Sequence, residues 1–418
     1  MPESPREQAR AREKVSGYEL LLLALLILLW GSVGLNRVGI GFIFPVIVPE
    51  FHMPQWQVGL LVSGTSVTWA LSSYVGGWLS DRHGRRKVLL PAVAFIAAMT
   101  AAMGAAWNFL SMFIVRDLLG IGDGIGWSVG QATVNEQSAP QRRALNQAVF
   151  TMGYTLIGAG FGALIITKLM VTLGWRWVFP VIGAATFVIF LALWVVMREP
   201  TERKVHEPAR WNAAFSLLRD PSLFWVTVAG CAILTWLQNT IAFNHQFLVA
   251  VRKFSLTDAG EIAEVWGFAG AAGQVVLSIV SDRVGRKPVV VVAALVALAA
   301  SVFYLAGGYG VHAMQLLLGV IGFCGHGLLP IVLATCVSEM VSGAQRGAAL
   351  GMTNLFGVII GTTIMPLVGG VVADIIGLTG ALWIGAVALA VVGAAVILIK
   401  ETAPRIVARK GTLASESI

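Results

Sequence analysis

The chain has 418 residues, 57% of them hydrophobic and 12% charged, with 47 glycines and a formal net charge of +8. So apolar a composition excludes both a disordered chain and an ordinary soluble core. The basic surplus gathers between apolar runs and at the chain ends, which marks membrane topology and argues against a nucleic-acid partner.

A basic tail, 1–17, precedes the first of twelve apolar runs. Each is long enough to cross roughly 30 Å of hydrocarbon as a helix. The first, 18–48, is too long for a signal peptide and carries Asn36 and Arg37 within it. The second, 56–79, holds Trp69 and stops in the charged turn "SDRHGRRK". After 89–106 comes 108–135, which contains Arg116, Asp117 and Asp123; its "GIGDGIG" fails the nucleotide-loop pattern and places small residues for close packing. Runs 145–168 and 176–197 complete a first unit, 18–199. Residues 200–222 form the longest polar stretch between spans and serve as a linker.

The second unit, 223–400, opens with 223–249, which carries Gln238, Asn239 and His245. Run 260–280 ends in "SDRVGRK", a second copy of the charged turn roughly 200 residues after the first, as a duplicated unit requires. Then follow 289–306, 313–338 with His326, 348–373 with Asn354, and 379–399, before a basic tail at 401–418. Two parallel six-helix units related by an axis along the membrane normal predict an all-α protein of twelve transmembrane helices in two pseudo-symmetric bundles.

Twenty-three lysines and arginines fall on the side of the two tails; only Lys168, Arg176, Arg252 and Lys253 fall opposite. That asymmetry predicts cytoplasmic termini in a plasma membrane, of the bacterial inner-membrane kind. Cys231, Cys324 and Cys336 all lie in apolar runs and read as packing residues without disulfides. No phosphate-binding loop, metal-ligand spacing or nucleophile–base pair appears, so neither an enzyme nor a cofactor or metal is expected.

"GWLSDRHGRRKVL" at 77–89 closely resembles the signature loop of the major facilitator superfamily, and "RDLLGIGDG" at 116–124 resembles its fourth-helix motif. The second copy of the loop has Ser278 where the first has Gly77. The resemblance implies a secondary transporter and a conformational latch formed by Gly77, Asp81, Arg82, Gly84 and Arg85, with Asp282, Arg283, Gly285 and Arg286 in the second half. From the residues alone, Arg85, Arg86 and Lys87 are expected to be solvated markers of topology. Gly84 is expected to supply a backbone conformation other residues adopt only under strain.

A narrower resemblance, to the anion:cation symporter branch, rests on "LNRVGIGFIFPVIVPEF" (35–51), "GWRWVF" (174–179) and "MTNLFGVIIGTTIMPLVGG" (352–370). It implies that Arg37 binds the substrate anion, that Asp123 takes the helix-four acid position, that Asn354 is a substrate ligand of the second half, and that Trp69 lies near the site. Asn36 stands where that branch has an aspartate, which removes one titratable group.

Charges inside a bilayer cost about 2.5–3.5 kcal/mol each on insertion scales, which makes Arg37, Arg116 and Asp123 functional candidates on physical grounds alone. Arg116 and Asp123 share one helix face, so an acid able to take a proton lies near two fixed positive charges. Arg116 has two readings, substrate binding with proton coupling or a structural tie to backbone carbonyls. Gln238, Asn239 and His326 are further candidate ligands, His326 also readable as a packed neutral imidazole. Trp127, Tyr154, Trp236 and Trp266 can stack on a ring or simply pack.

The expected function is proton-coupled uptake of a small organic anion, a carboxylate, by a monomer in the lipid bilayer. The alternatives are efflux of hydrophobic or cationic compounds, which wants an acidic cavity without Arg37, and a membrane receptor without transport.

Overall fold

The structure, a computed structural model, describes residues 17–139, 142–199, 217–342, 345–403 and 406. The predicted tails and most of the 200–222 linker lie outside the described residues. Twelve helices account for the rest: α1 Gly17–Glu50, α2 Gln55–His83, α3 Arg85–Met103, α4 Phe109–Gln137, α5 from Arg143 to Leu173, α6 Trp175–Val196, α7 from Pro221 to Val251, α8 Leu256–Val284, α9 Arg286–Ala306, α10 from Val311 to Met340, α11 from Arg346 to Ile376, and α12 Leu378–Ile397. Eleven are long and apolar enough to span a membrane. The exception is α4, whose middle carries Arg116, Asp117 and Asp123. Helices α1–α6 and α7–α12 form two bundles that repeat one plan.

The repeat is visible in backbone geometry. Four glycines have positive φ: Gly84 (105°) and Gly174 (82°) in the first half, Gly285 (117°) and Gly377 (87°) at the equivalent helix junctions of the second. Each closes one helix and opens the next with no intervening loop, a turn only a residue without Cβ makes without strain. Helices α5 and α11 also share a π-helical stretch, Tyr154–Phe161 and Gly357–Ile364. Such stretches widen a helix locally and frequently mark functional sites.

Each charged turn is built around one buried arginine, contrary to the expectation of a solvated Arg85, whereas Lys87 is exposed and Arg86 half-buried. Arg85 is only 7% exposed. It pairs with Asp81 at 2.6 Å and Glu136 at 2.6 Å, while the Glu199 carboxylate accepts the backbone N–H groups of Arg85 and Arg86. Arg286 repeats this with Asp282 at 2.6 Å, Glu339 at 3.0 Å and Glu401, which accepts the N–H groups of Arg286 and Lys287. A guanidinium enters the interior here because carboxylates meet most of its donors. The same glutamates cap the free N–H groups that begin α3 and α9, so those helices start at Arg85 and Arg286, earlier than the apolar runs suggested. Arg82 lies over the Trp78 ring at 4.2 Å, Arg283 is exposed, and Gly77 faces Ser128 of α4.

The halves are tied together away from those turns. At the far end the N–H groups of Gln55 and Trp56, which open α2, donate to Asp374 near the end of α11 at 2.7 and 2.9 Å. The Ser63 hydroxyl donates to the Thr363 carbonyl at 2.5 Å. Glycine contacts close the same region, Gly59 of α2 lying against the Pro366 carbonyl and Gly370 of α11 against the Gln55 carbonyl. They continue toward the middle with Gly41 of α1 against the Ile241 carbonyl of α7 and Gly267 of α8 against the Gly160 backbone of α5. Nearer the middle, Gln238 donates to Ser66 at 3.4 Å and Gln274 to Thr155 at 3.1 Å. At the end bearing the charged turns, no hydrogen bond or ion pair joins the halves among the described residues; Asp81 and Asp282 bond within their own bundles. Among the described residues, one end is tied across the seam and the other is not.

Candidate functional site

Arg37 sits in the seam near the middle of the molecule. A helix of 34 residues such as α1 is about 51 Å long, and Arg37 lies beyond its midpoint toward the sealed end. Its Nη2 donates to the Ser66 hydroxyl of α2 at 3.3 Å, and its Cζ lies 5.2 Å from the centre of the Trp69 ring. Because Gln238 of α7 donates to the same hydroxyl, Ser66 joins the arginine to the opposite half. The remaining terminal nitrogen, Nη1, is buried without a partner, as is Trp69 Nε1. Two buried donors without a partner therefore lie beside one another at this point of the seam.

Behind Arg37 stands Arg116, 2% exposed. Its guanidinium donates to the carbonyl oxygens of Asn36 at 3.2 Å and Arg37 at 3.4 Å. This is the backbone-tie reading of Arg116: it holds the α1 segment that presents Arg37. Asp123 lies two turns further along α4, fully buried, and neither of its carboxyl oxygens has a hydrogen-bond partner. The charged groups acting on it are Arg37 and Arg116. Tyr154, which begins the π-helical stretch of α5, has its hydroxyl beside the Arg37 guanidinium at hydrogen-bonding range and lies within electrostatic reach of Asp123 and Arg116. The Asn36 amide is also buried with neither atom paired.

Other expected ligands are placed elsewhere. Asn239 donates to its own helix at Thr235 and packs against Gly369 of α11. His326 is 2% exposed, with Nδ1 at 3.1 Å from the Gly322 carbonyl and the Trp266 and Trp236 rings at 4.5 and 5.4 Å. Those contacts are the packed-imidazole arrangement. Asn354 is exposed on the charged-turn half of α11, while its neighbour Thr353 is buried against Thr227. A groove of about 760 Å³ between α7, α11 and α12 is lined almost wholly by apolar side chains such as Phe224, Ile360 and Val387, with no charged group, which makes it unsuited to an anion.

Sequence reasoning did not find Ser66, Glu136, Glu199, Glu339, Glu401 or Asp374. The four glutamates carried a usable signal, since Glu136 and Glu339, and Glu199 and Glu401, recur at nearly the spacing of the charged turns. Ser66 and Asp374 had none, because their partners come from other helices.

The model of the Major Facilitator Superfamily matches residues 26–359 and 241–415. With these twelve helices in two bundles, the chain belongs to the major facilitator superfamily; it is a multi-pass membrane transporter and not an enzyme. It is 28% identical over 380 residues, 86% of each chain, to a probable 4-methylmuconolactone transporter of Cupriavidus pinatubonensis. It is 29% identical over 269 residues, 61% of this chain and 63% of the other, to a hexuronate transporter of Bacillus subtilis. Its fold matches the crystal structure of a bacterial homologue of the human lysosomal transporter Spinster, in an inward-facing and unoccupied conformation, with a TM-score of 0.73 and 18% identity over 92% of this chain and 95% of that one.

Proposed function

We propose that the protein carries a small organic anion, a carboxylate, together with a proton into the cell by alternating access. The observation that carries this reading is Arg37: a guanidinium in the seam with Nη1 unpartnered, beside a second unpartnered donor on Trp69. A planar fork of N–H donors suits a carboxylate, and an organic acid appears in the name of the hexuronate relative.

Asp123 is the proton's place in this scheme. Ionised, it draws on the positive charge of Arg37 and Arg116 and competes with an incoming anion. Protonated, it leaves their positive charge less neutralised, so that Arg37 holds that anion better. Loss of the proton on the inner side restores the Asp–Arg attraction and helps expel the substrate. Asn36 cannot titrate, which leaves two acids within reach of the arginines: Asp123, fully buried and facing both, and Asp117, which faces Arg116 alone. The excess of lysine and arginine at the charged-turn end supports assigning that end, and both termini, to the cytoplasm. The described state is then sealed outside and open inside, and Asp81 and Asp282 are free to change partners when the halves rock the other way. Export of cations suits this constellation poorly, since the unpartnered donor beside Trp69 belongs to a guanidinium.

Thermal-shift and calorimetric titration of purified protein with a panel of organic acids tests the reading. Arg37→Lys keeps the charge but loses the fork and should weaken binding at least about tenfold with unchanged folding. Unchanged affinity in Arg37→Lys removes Arg37 from the site.

A further inference from the structure

A run of aromatic rings begins at Arg37 and continues toward the open end. The guanidinium lies over Trp69; the Trp69 ring is 6.4 Å from Trp127, and Trp127 is 4.3 Å from Trp30 and 5.9 Å from Phe150. Trp30 in turn lies 5.4 Å from Tyr154. These five rings come from α1, α2, α4 and α5, so no single amphipathic helix accounts for them. Trp30 (7%) and Phe150 (1%) are buried behind, whereas Trp69, Trp127 and Tyr154 are only half-buried. Trp127 stands one helical turn beyond Asp123 on the same face of α4, toward the unsealed end.

From this arrangement we infer that the substrate is a carboxylate borne on a flat, unsaturated ring; the inference rests on the anion-binding reading of Arg37 and narrows it. The carboxylate accepts from Arg37 Nη1 and Trp69 Nε1, the two buried donors without partners. The ring then lies on the exposed part of Trp127, backed by Trp30 and Phe150. Aromatic pairs gain about 0.5–1.5 kcal/mol beyond the area they bury, which favours a ring over a saturated substituent of equal size. A polyhydroxylated acid would lie against ring faces along this shelf, whose own polar atoms are the Tyr154 hydroxyl and the indole N–H groups. Each hydroxyl stripped of water without a partner costs about 1–3 kcal/mol. The relatives do not choose between these classes, one being named for a lactone and the other for a hexuronate.

The test is isothermal titration of the purified full-length protein with benzoate, cyclohexanecarboxylate and gluconate. Benzoate should bind about tenfold or more tighter than gluconate and several-fold tighter than cyclohexanecarboxylate. Trp127→Leu should bring benzoate to within about twofold of cyclohexanecarboxylate while leaving gluconate unmoved, and Trp127→Phe should retain most of the preference. Trp69→Phe, which keeps a ring but loses the N–H, should weaken all three acids alike. Gluconate binding as tightly as benzoate, with Arg37→Lys abolishing both, would overturn the ring shelf and leave the anion site standing. If none of the acids binds, the anion site falls and the shelf with it. Should Trp127→Leu fail to fold, the wild-type ranking and Trp127→Phe decide: equal affinities for benzoate and cyclohexanecarboxylate refute the shelf.

Discussion

Arg37 owes its place to neighbours that each fix a different part of it. Arg116 grips its backbone carbonyl, Ser66 takes Nη2, and the Trp69 face lies against the guanidinium. Replacing Arg116 by alanine should therefore act at a distance. It leaves the Asn36 and Arg37 carbonyls without their donor, at about 1–3 kcal/mol of stability, and lets α1 present Arg37 less accurately. A melting curve and a substrate titration on Arg116→Ala check this; unaltered melting together with lost binding would instead make Arg116 a direct ligand. Much of this centre was legible in the chain, because a charge inside an apolar run announces itself. Arg37, Arg116 and Asp123 stand out on that ground, and Trp69 through resemblance. Gln238 was among the amides expected to have partners and reaches the seam, whereas Asn239, His326 and Asn354 do not join it. A polar residue within a span shows that it needs a partner, but helix rotation and the neighbouring helix decide where that partner is. Ser66 is the converse case: a small hydroxyl that becomes central only because α1 and α7 both reach it.

At the scale of elements, the two helix junctions are held by Glu199 and Glu401, and the sealed end by Asp374. Burial pushes Glu401 up, but the N–H groups of Ala403, Arg286, Lys287 and Thr402 outweigh it and hold the carboxyl below its usual range. A carboxyl depressed by folding stabilises the folded chain above its unfolded value, about 4.3, and that contribution is lost as pH falls through the lower folded value. Thermal stability should accordingly drop on acidification below about pH 4, and Glu401→Ala should flatten this part of the profile while costing about 1–2 kcal/mol at neutral pH. An unchanged acid limb in Glu401→Ala would show that other carboxylates set it. Asp374 accepts both free N–H groups at the start of α2 across the seam. Asp374→Ala should shift the population toward opening of the sealed end, by about five- to tenfold for a loss near 1 kcal/mol. Accessibility of a cysteine placed beside Ser63, in a background lacking Cys231, Cys324 and Cys336, measures it; equal labelling with and without Asp374 would contradict the latch. The junction glycines and their basic residues could be read from sequence as a repeat, yet the burial of Arg85 could not, since its acidic partners lie on α2 and α4 and it depends on the turn geometry that Glu199 holds.

Across the whole molecule, one set of contacts seals the far end and, among the described residues, none of the same kind joins the halves at the charged-turn end, with two arginines and a buried acid between them. Twelve spans and a half-length repeat make the architecture readable from hydropathy alone, because each span must satisfy its own backbone in lipid. Which end stands open was not readable, since both states use the same helices and differ only in how the halves meet. In the proposed mechanism the group that changes charge as the halves exchange access is Asp123. Proteoliposomes carrying the wild type or Asp123→Asn provide the most direct test, with a labelled organic acid that binds the wild type. The wild type should concentrate the acid when the outside is made acidic. Asp123→Asn, fixed in the neutral form, should exchange external for internal substrate yet accumulate none under the same gradient. Accumulation by Asp123→Asn equal to that of the wild type would contradict the account.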